Sequence, residues 1–184
     1  MNCYVLTGGR STRMGESKAA LFLDRIIAAA APVFERVIAV ERAGARPLTI
    51  DTIFEEPHDA VAPVFGVARA LADAPGPTFI LAVDFPLISS DMLAFLRTRF
   101  ELSNASMLVP MWDGAPQVLC AGYRTCVAPL LAERIAAGRY DLRGLLEETE
   151  VEIIDEAALR ARFRGEPLMN VNTPAELAAA ERIR

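Results

Sequence analysis

Leu6-Thr7-Gly8-Gly9-Arg10-Ser11-Thr12-Arg13-Met14-Gly15-Glu16-Ser17-Lys18 continues directly from the apolar run Cys3-Tyr4-Val5-Leu6, which reads as a first buried strand. Glycines at the exit of a strand let the backbone turn sharply and bring its N–H groups up to an anion. Arg10, Arg13 and Lys18 add positive charge to the same loop. The combination is suited to holding phosphates. Lys18 is the only lysine among 19 cationic side chains, and lysine offers a point charge on a thin stem where arginine offers a flat fork. Two common glycine fingerprints are excluded. Glu16 and Ser17 separate Gly15 from Lys18, where a P-loop sets its lysine directly after the last glycine, and no G-x-G-x-x-G spacing occurs.

The rest of the composition narrows the class. A chain of 184 residues with 53% apolar content and positive mean hydropathy suits one domain with a sizeable core. No apolar run reaches the ~18 residues of a membrane span, and no basic-then-apolar secretory signal opens the chain, so a cytoplasmic protein is expected. Cys3, Cys120 and Cys126 lack metal-ligand spacing and read as reduced thiols. Net charge is −5, which argues against broad nucleic-acid binding. Residues 1–50 nevertheless carry seven cations against four anions, so the positive charge travels with the glycine loop. That balance suits a small anionic ligand.

Local signals then place the elements. Asp24 is a candidate cap for a short helix over Arg25–Ala30, bounded by Pro32. Val37–Val40 and Leu48–Phe54 read as strands, Pro57–Pro63 as a loop and Val64–Ala74 as a helix. Pro75-Gly76-Pro77 is a turn leading into the continuous apolar strand Phe79–Val83. Ser89 or Ser90 caps a helix to about Phe100, with Asp91 in its first turn. Strands are expected at Met107–Pro110, Gln117–Tyr123 and Val151–Ile154, with a turn at Asp113-Gly114. Helices are expected over Thr125–Ala137, Leu142–Glu147 and Thr173–Ile183. The last carries a capping box, with Thr173 at N-cap, Pro174 in the first turn and Glu176 behind it. Apolar strands alternating with helices imply an α/β fold with a mostly parallel sheet.

Away from the loop, Asp84 stands at the carboxyl end of a buried strand, where ligands of open α/β sheets bind and where a hard oxygen ligand suits Mg²⁺. It also reads as a turn or helix-capping aspartate before Pro86. Asn170 and Asn172 share one side of an extended segment, or are turn residues leading into the last helix. Arg139 and Arg143 read as surface charges or as contacts to a second phosphate. The acidic run Glu147, Glu148, Glu150, Glu152, Asp155 and Glu156 reads as a solvated face. His58, the single histidine, has no second histidine with which to build a metal site or relay.

The loop resembles the signature L-x-G-G-x-S-x-R-M-G-x-x-K of the MobA-type nucleotidyltransferases, the molybdenum cofactor guanylyltransferases. Leu6, Gly8, Gly9, Ser11, Arg13, Met14, Gly15 and Lys18 match it, while Thr7 and Ser17 stand where Ala and Asp are usual. Ala82-Val83-Asp84-Phe85-Pro86 looks like the family's C-D-M-P segment, and Asn170-Val171-Asn172-Thr173-Pro174-Ala175-Glu176-Leu177 like its N-V-N-T-P-E-E-L. Phe54-Glu55-Glu56 aligns with a segment whose last acidic residue contacts guanosine, and Ala62-Pro63-Val64-Phe65-Gly66 matches G-P-L-A-G at Pro63 and Gly66. The chain is shortened after Leu23, and the nucleoside asparagine near Val40 or Arg42 is missing.

The resemblance implies one Rossmann-like three-layer domain over residues 1–184, of nucleotide-diphospho-sugar transferase type. It implies transfer of GMP from GTP to molybdopterin, or its molybdenum form, with Mg²⁺ as cofactor and molybdoenzyme-maturation proteins as possible partners. Arg13, Lys18 and Asp84 would be catalytic, and Leu6, Thr7, Gly8, Gly9, Lys18, Glu56 and Asp84 would bind the nucleotide. Asp84 would hold the metal, and Asn170, Asn172 and Gln117 would meet the second substrate. An ionised phosphate nucleophile needs positioning and charge neutralisation rather than a base, which agrees with the lack of an acid–base pair. By the same resemblance, the adjacent Gly8-Gly9 implies GTP over CTP. A cytidylyltransferase, another small nucleotidyltransferase and a GTP-binding regulatory module without turnover are the alternatives.

Overall fold

Cys3 and Val5 face one side of the first strand and Tyr4 and Leu6 the other, and all four are buried. A strand apolar on both faces needs cover above and below. The computed structural model describes residues 1–7, 18–45, 47–171 and 173–181. In chain order the elements are β1 (Asn2–Leu6), α1 (Lys18–Ala30), β2 (Val37–Glu41), β3 (Thr52–Phe54), α2 (Pro63–Asp73), β4 (Thr78–Ala82), α3 (Ser90–Leu102), β5 (Met107–Trp112), β6 (Ala115–Pro116), β7 (Cys120–Tyr123), α4 (Val127–Ala136), α5 (Leu145–Glu148), β8 (Val151–Ile154), α6 (Glu156–Arg162) and α7 (Pro174–Glu181).

The eight strands form one sheet in the order β3-β2-β1-β4-β7-β5-β6, with β8 paired to β5. β1 runs parallel to β2 and β4, β2 parallel to β3, and β5 parallel to β8. β7 lies antiparallel between β4 and β5, and β6 antiparallel on β5. One face is covered by α1, α3 and α6, where Phe22, Ile26, Met92, Leu96 and Leu159 pack on Cys3, Val5 and Leu81. On the other face Val64, Phe65 and Leu71 of α2 and Val127 and Leu131 of α4 pack on Tyr4, Ile38, Ile80 and Tyr123. The architecture is therefore the expected three-layer α/β fold, with an antiparallel strand inserted near its middle.

Several expected boundaries shift, for identifiable reasons. α1 starts at Lys18, so Asp24 is an exposed mid-helix residue and not a cap. The buried stripe of Phe22, Leu23, Ile26, Ala29 and Ala30 has helical spacing and runs through it. β3 is shorter than expected because Leu48 N–H donates to the Thr52 hydroxyl, which donates to the Ile50 carbonyl, closing a turn ahead of the strand. The strand expected from Gln117 begins at Cys120, whose N–H donates to the Gln117 carbonyl at 2.9 Å. Asp113 (φ 49°) and Gly114 (φ 68°) make the expected turn between β5 and β6. Ser89 caps α3 by accepting from Met92 N–H, and Thr173 accepts from Glu176 N–H at 3.1 Å.

The acidic run divides among separate structural roles. Asp155 caps α6, a helix not foreseen from the sequence, by accepting from the N–H groups of Ala157 and Ala158. Glu156 ties the Gly114 N–H to Arg160, Glu152 pairs with Arg99, and Glu148 with Arg134 and Arg139. Among the described residues no group of three His, Cys, Asp or Glu side chains is placed to hold a metal ion. Among the same residues no helix is long and apolar enough to cross a membrane.

Candidate active site

β1 sends its chain to β2 on one side, while β4 flanks it on the other, so the carboxyl ends of β1 and β4 form the switch point of the sheet. Open α/β sheets bind ligands in that crevice. The ladder continues just past both strands, with Val83 N–H donating to the Leu6 carbonyl at 3.1 Å, and then the two chains part. Beyond Leu6 the chain enters the glycine loop. Beyond Val83 comes Asp84, half-buried, at the head of the Phe85-Pro86 turn.

The third stretch arrives from far along the sequence. Val171 N–H donates to the Asp84 carbonyl at 2.9 Å, which seats Asn170 and Val171 beside the β4 exit. Val171 is buried and Asn170 exposed, so the segment is anchored by one residue and presents the other to solvent. Two of the three stretches singled out in the sequence are thus joined by a main-chain hydrogen bond. The chain leaving α1 reaches the opposite end of β1, where Glu35 N–H donates to the Met1 carbonyl, and the 13 residues of the helix span ~20 Å. The first residue of that helix is Lys18.

Gly8, Gly9, Arg13 and Asn172 lie outside the described residues, and of Lys18 the backbone alone is described. Thr7 is buried, and both its N–H (3.2 Å) and its hydroxyl (2.9 Å) donate to the Val40 carbonyl. The hydroxyl that stands where alanine is usual therefore reinforces the β1–β2 junction. The Thr7 amide, expected among the phosphate-binding groups, is committed to that junction instead. Leu6 is buried, and its side chain reaches the surface of α2 at Gly66.

Opposite Leu6, the end of β3 supplies a carboxylate that the sequence reading passed over. Glu56 is exposed, whereas Glu55 turns inward and is half-buried. A Cβ at position 66 would lie 2.9 Å from Glu55 Oε1 and 3.1 Å from Leu6 Cδ2, so the glycine admits both. Burial pushes the Glu55 carboxyl above its usual range; Arg42 opposes that shift and Glu41 adds to it. Arg42 is in this way a cation at the edge of the same crevice. The sequence signal for Glu55 was its place directly after the last residue of a half-buried edge strand.

Gln117 belongs to the same sheet edge, since Ala82 N–H donates to the nearby Leu119 carbonyl at 2.7 Å. Its amide nitrogen donates to the carbonyls of Trp112 (3.0 Å) and Ala115 (3.1 Å), which locks the β5–β6 turn. Its expected role toward a second substrate competes with that structural one. Arg139 pairs with Glu148 at 2.7 Å, while Arg143 is exposed. His58 lies on the β3–α2 loop with its ring stacked on Phe65.

As a donor for a metal ion at this edge, Asp84 offers a hard carboxylate, and no group of three His, Cys, Asp or Glu side chains among the described residues could hold an ion. That set fits Mg²⁺, which takes one or two carboxylates and completes its shell with phosphate oxygens and water.

Comparison with known proteins bears on the whole arrangement. The profile of the MobA-like NTP transferase domain matches residues 3–153. A probable molybdenum cofactor guanylyltransferase of Mycobacterium avium is 31% identical over 196 residues, covering 98% of this chain and 94% of that protein. Among solved structures, the molybdopterin-guanine dinucleotide biosynthesis protein A of Archaeoglobus fulgidus superposes with a TM-score of 0.81 at 24% identity, covering 100% of this chain and 98% of that one. A Mycobacterium tuberculosis protein solved in complex with manganese superposes with a TM-score of 0.62 at 16% identity, covering 97% and 96% of the two chains.

Proposed function

The chain belongs to the MobA-like NTP transferase family, and from that premise we propose that it transfers GMP from GTP to molybdopterin, or to its molybdenum form. A terminal phosphate oxygen of the pterin attacks the α-phosphorus of GTP. The bond from that phosphorus to the bridging oxygen breaks, and pyrophosphate leaves with the electron pair. The products are molybdopterin guanine dinucleotide and pyrophosphate. The nucleophile is already ionised near neutral pH, so the protein has to align the reactants and neutralise charge rather than move a proton.

The observation that carries the reading is the joining of Asp84, at the switch point, to the Asn170–Val171 segment through a main-chain hydrogen bond. Asp84 is the residue that would hold Mg²⁺, which when bound neutralises charge on the phosphates. Lys18 and Arg13, with amides from Gly8 and Gly9, take the triphosphate. Glu55, in preference to the exposed Glu56, meets the base, with Leu6 beneath it. Asn170 and Asn172 would receive the incoming pterin. The work is done in the cytoplasm.

Pyrophosphate release measured with GTP, CTP, ATP and UTP in turn, with and without molybdopterin and Mg²⁺, tests this. Release with GTP that depends on both molybdopterin and Mg²⁺ is the expected result. Release with CTP in preference to GTP overturns the choice of base, and GTP binding without release in any combination overturns the transferase.

A further inference from the structure

His58 takes no part in the chemistry above, yet its placement is specific. The loop from Glu55 to Ala62 is mostly exposed, with Glu56, Pro57, His58, Asp59 and Val61 all facing solvent. Such a loop has little apolar burial to hold it. The imidazole nevertheless lies flat on the Phe65 ring, with centroids 3.7 Å apart and planes at 17°. Phe65 is itself buried, at 4% exposure, and is braced from another direction by Tyr140 at 5.2 Å and 54°. Among the described residues His58 has no hydrogen-bond or ion-pair partner, and the stack on Phe65 is the contact that places it.

Phe65 precedes Gly66 in the first turn of α2, and Gly66 is where the Glu55 carboxylate rests. The loop that begins at Glu55 is therefore fastened, three residues later, to the same helical turn across which Glu55 lies. We infer that His58 is a positioning residue for nucleotide recognition: its stack on Phe65 holds the loop so that Glu55 faces the hydrogen-bond donors of the base. This rests on the nucleotidyltransferase reading and extends it to a side chain outside the reacting groups. A residue that acts in this way changes affinity for the nucleotide and leaves the chemical step alone. Its effect also disappears once the carboxylate it positions is gone.

The experiment is a double-mutant cycle on His58→Ala and Glu55→Gln, with His58→Phe as the conservative variant, read by steady-state kinetics and by calorimetric titration with GTP. An aromatic stack of this kind corresponds to a rise in KM and Kd for GTP of roughly 3- to 10-fold in His58→Ala, with kcat unchanged within about twofold. His58→Phe keeps the stack and restores the wild-type KM. In the Glu55→Gln background, His58→Ala adds nothing further. An unchanged KM in His58→Ala, a His58→Phe protein as impaired as His58→Ala, or additive effects in the double variant overturns the inference. Should His58→Ala fold poorly, the KM of His58→Phe decides alone, a wild-type value supporting the stack and a raised one overturning it. Wild-type protein that neither binds GTP nor releases pyrophosphate overturns the transferase reading, and this inference with it. Normal wild-type turnover combined with any of the adverse variant results overturns this inference alone.

Discussion

Two carboxylates at the rim of one sheet have different surroundings, and their substitutions should behave differently. Asp84 sits where the β4 exit opens to the crevice, so Asp84→Asn is expected to lower kcat by roughly 10²–10³-fold, the usual result of removing one charge-stabilising group from a transition state. Far-UV dichroism and the melting temperature should stay at wild-type values. Lys18→Ala is expected to lose a similar factor in kcat, read in the same pyrophosphate assay. Glu55 is constrained by burial, which raises its carboxyl above the unfolded value. Folding then favours the protonated form, so stability is lost as pH rises through the raised value and none is lost below the unfolded value of ~4.3. Glu55→Gln should therefore melt above wild type at pH 7–8, with the gap closing as pH approaches 4. The position of Asp84 was legible in the sequence as the end of an apolar run of five residues, but its reading as metal ligand over turn aspartate came only from the resemblance. Glu55 was not, because two adjacent glutamates at a strand end differ only in which way the chain turns. Gln117 shows a related ambiguity: a polar residue beside a turn serves the turn's own carbonyls as readily as a ligand.

At the scale of elements, the connection from α4 to α5 depends on one side chain. Arg134 is 2% exposed, and its guanidinium donates to Glu148, to the Asp141 carboxylate (2.7 Å) and to the Asp141 carbonyl (2.9 Å). Its Nε is buried without a partner among the described residues. Arg134→Ala leaves a cavity and an undone clamp, at a cost of about 2–4 kcal/mol, below the range for a fully buried pair because Asp141 and Glu148 keep contact with water. Each kcal/mol shifts Tm by ~2–4 °C in a chain of this length, so thermal melting resolves the loss. Arg134→Met, which fills the volume without a charge, should lose less than half as much. The elements themselves were mostly readable, since caps at Ser89 and Thr173 and the Pro75-Gly76-Pro77 turn are local chemistry. α6 escaped because its cap, Asp155, lay within a run of acids that looked like one solvated surface. The start of α1 escaped because Asp24 imitates a cap, while the apolar stripe that identifies the helix passes on the opposite side.

For the molecule as a whole, the class of fold followed from apolar strands alternating with helices, and two covered faces bear it out. The antiparallel course of β7 did not follow, because strand direction is decided by pairing partners far away in sequence, and Cys120–Tyr123 has the same apolar content either way. Depth in that sheet also governs thiol chemistry. Cys3 and Cys120 are buried with their thiols pushed upward by desolvation, whereas Cys126 is exposed. Mass spectrometry after alkylation should find one modified cysteine in the native protein and three in denaturant, with the slow pair reporting global opening. The hydrogen bond from Val171 to Asp84 has a consequence for the order of synthesis. A ribosome delivers the aspartate when less than half of the polypeptide has been made, and the amide that steadies it emerges only near the end. A product of premature termination between residues 154 and 171 contains every one of these strands and lacks that tether.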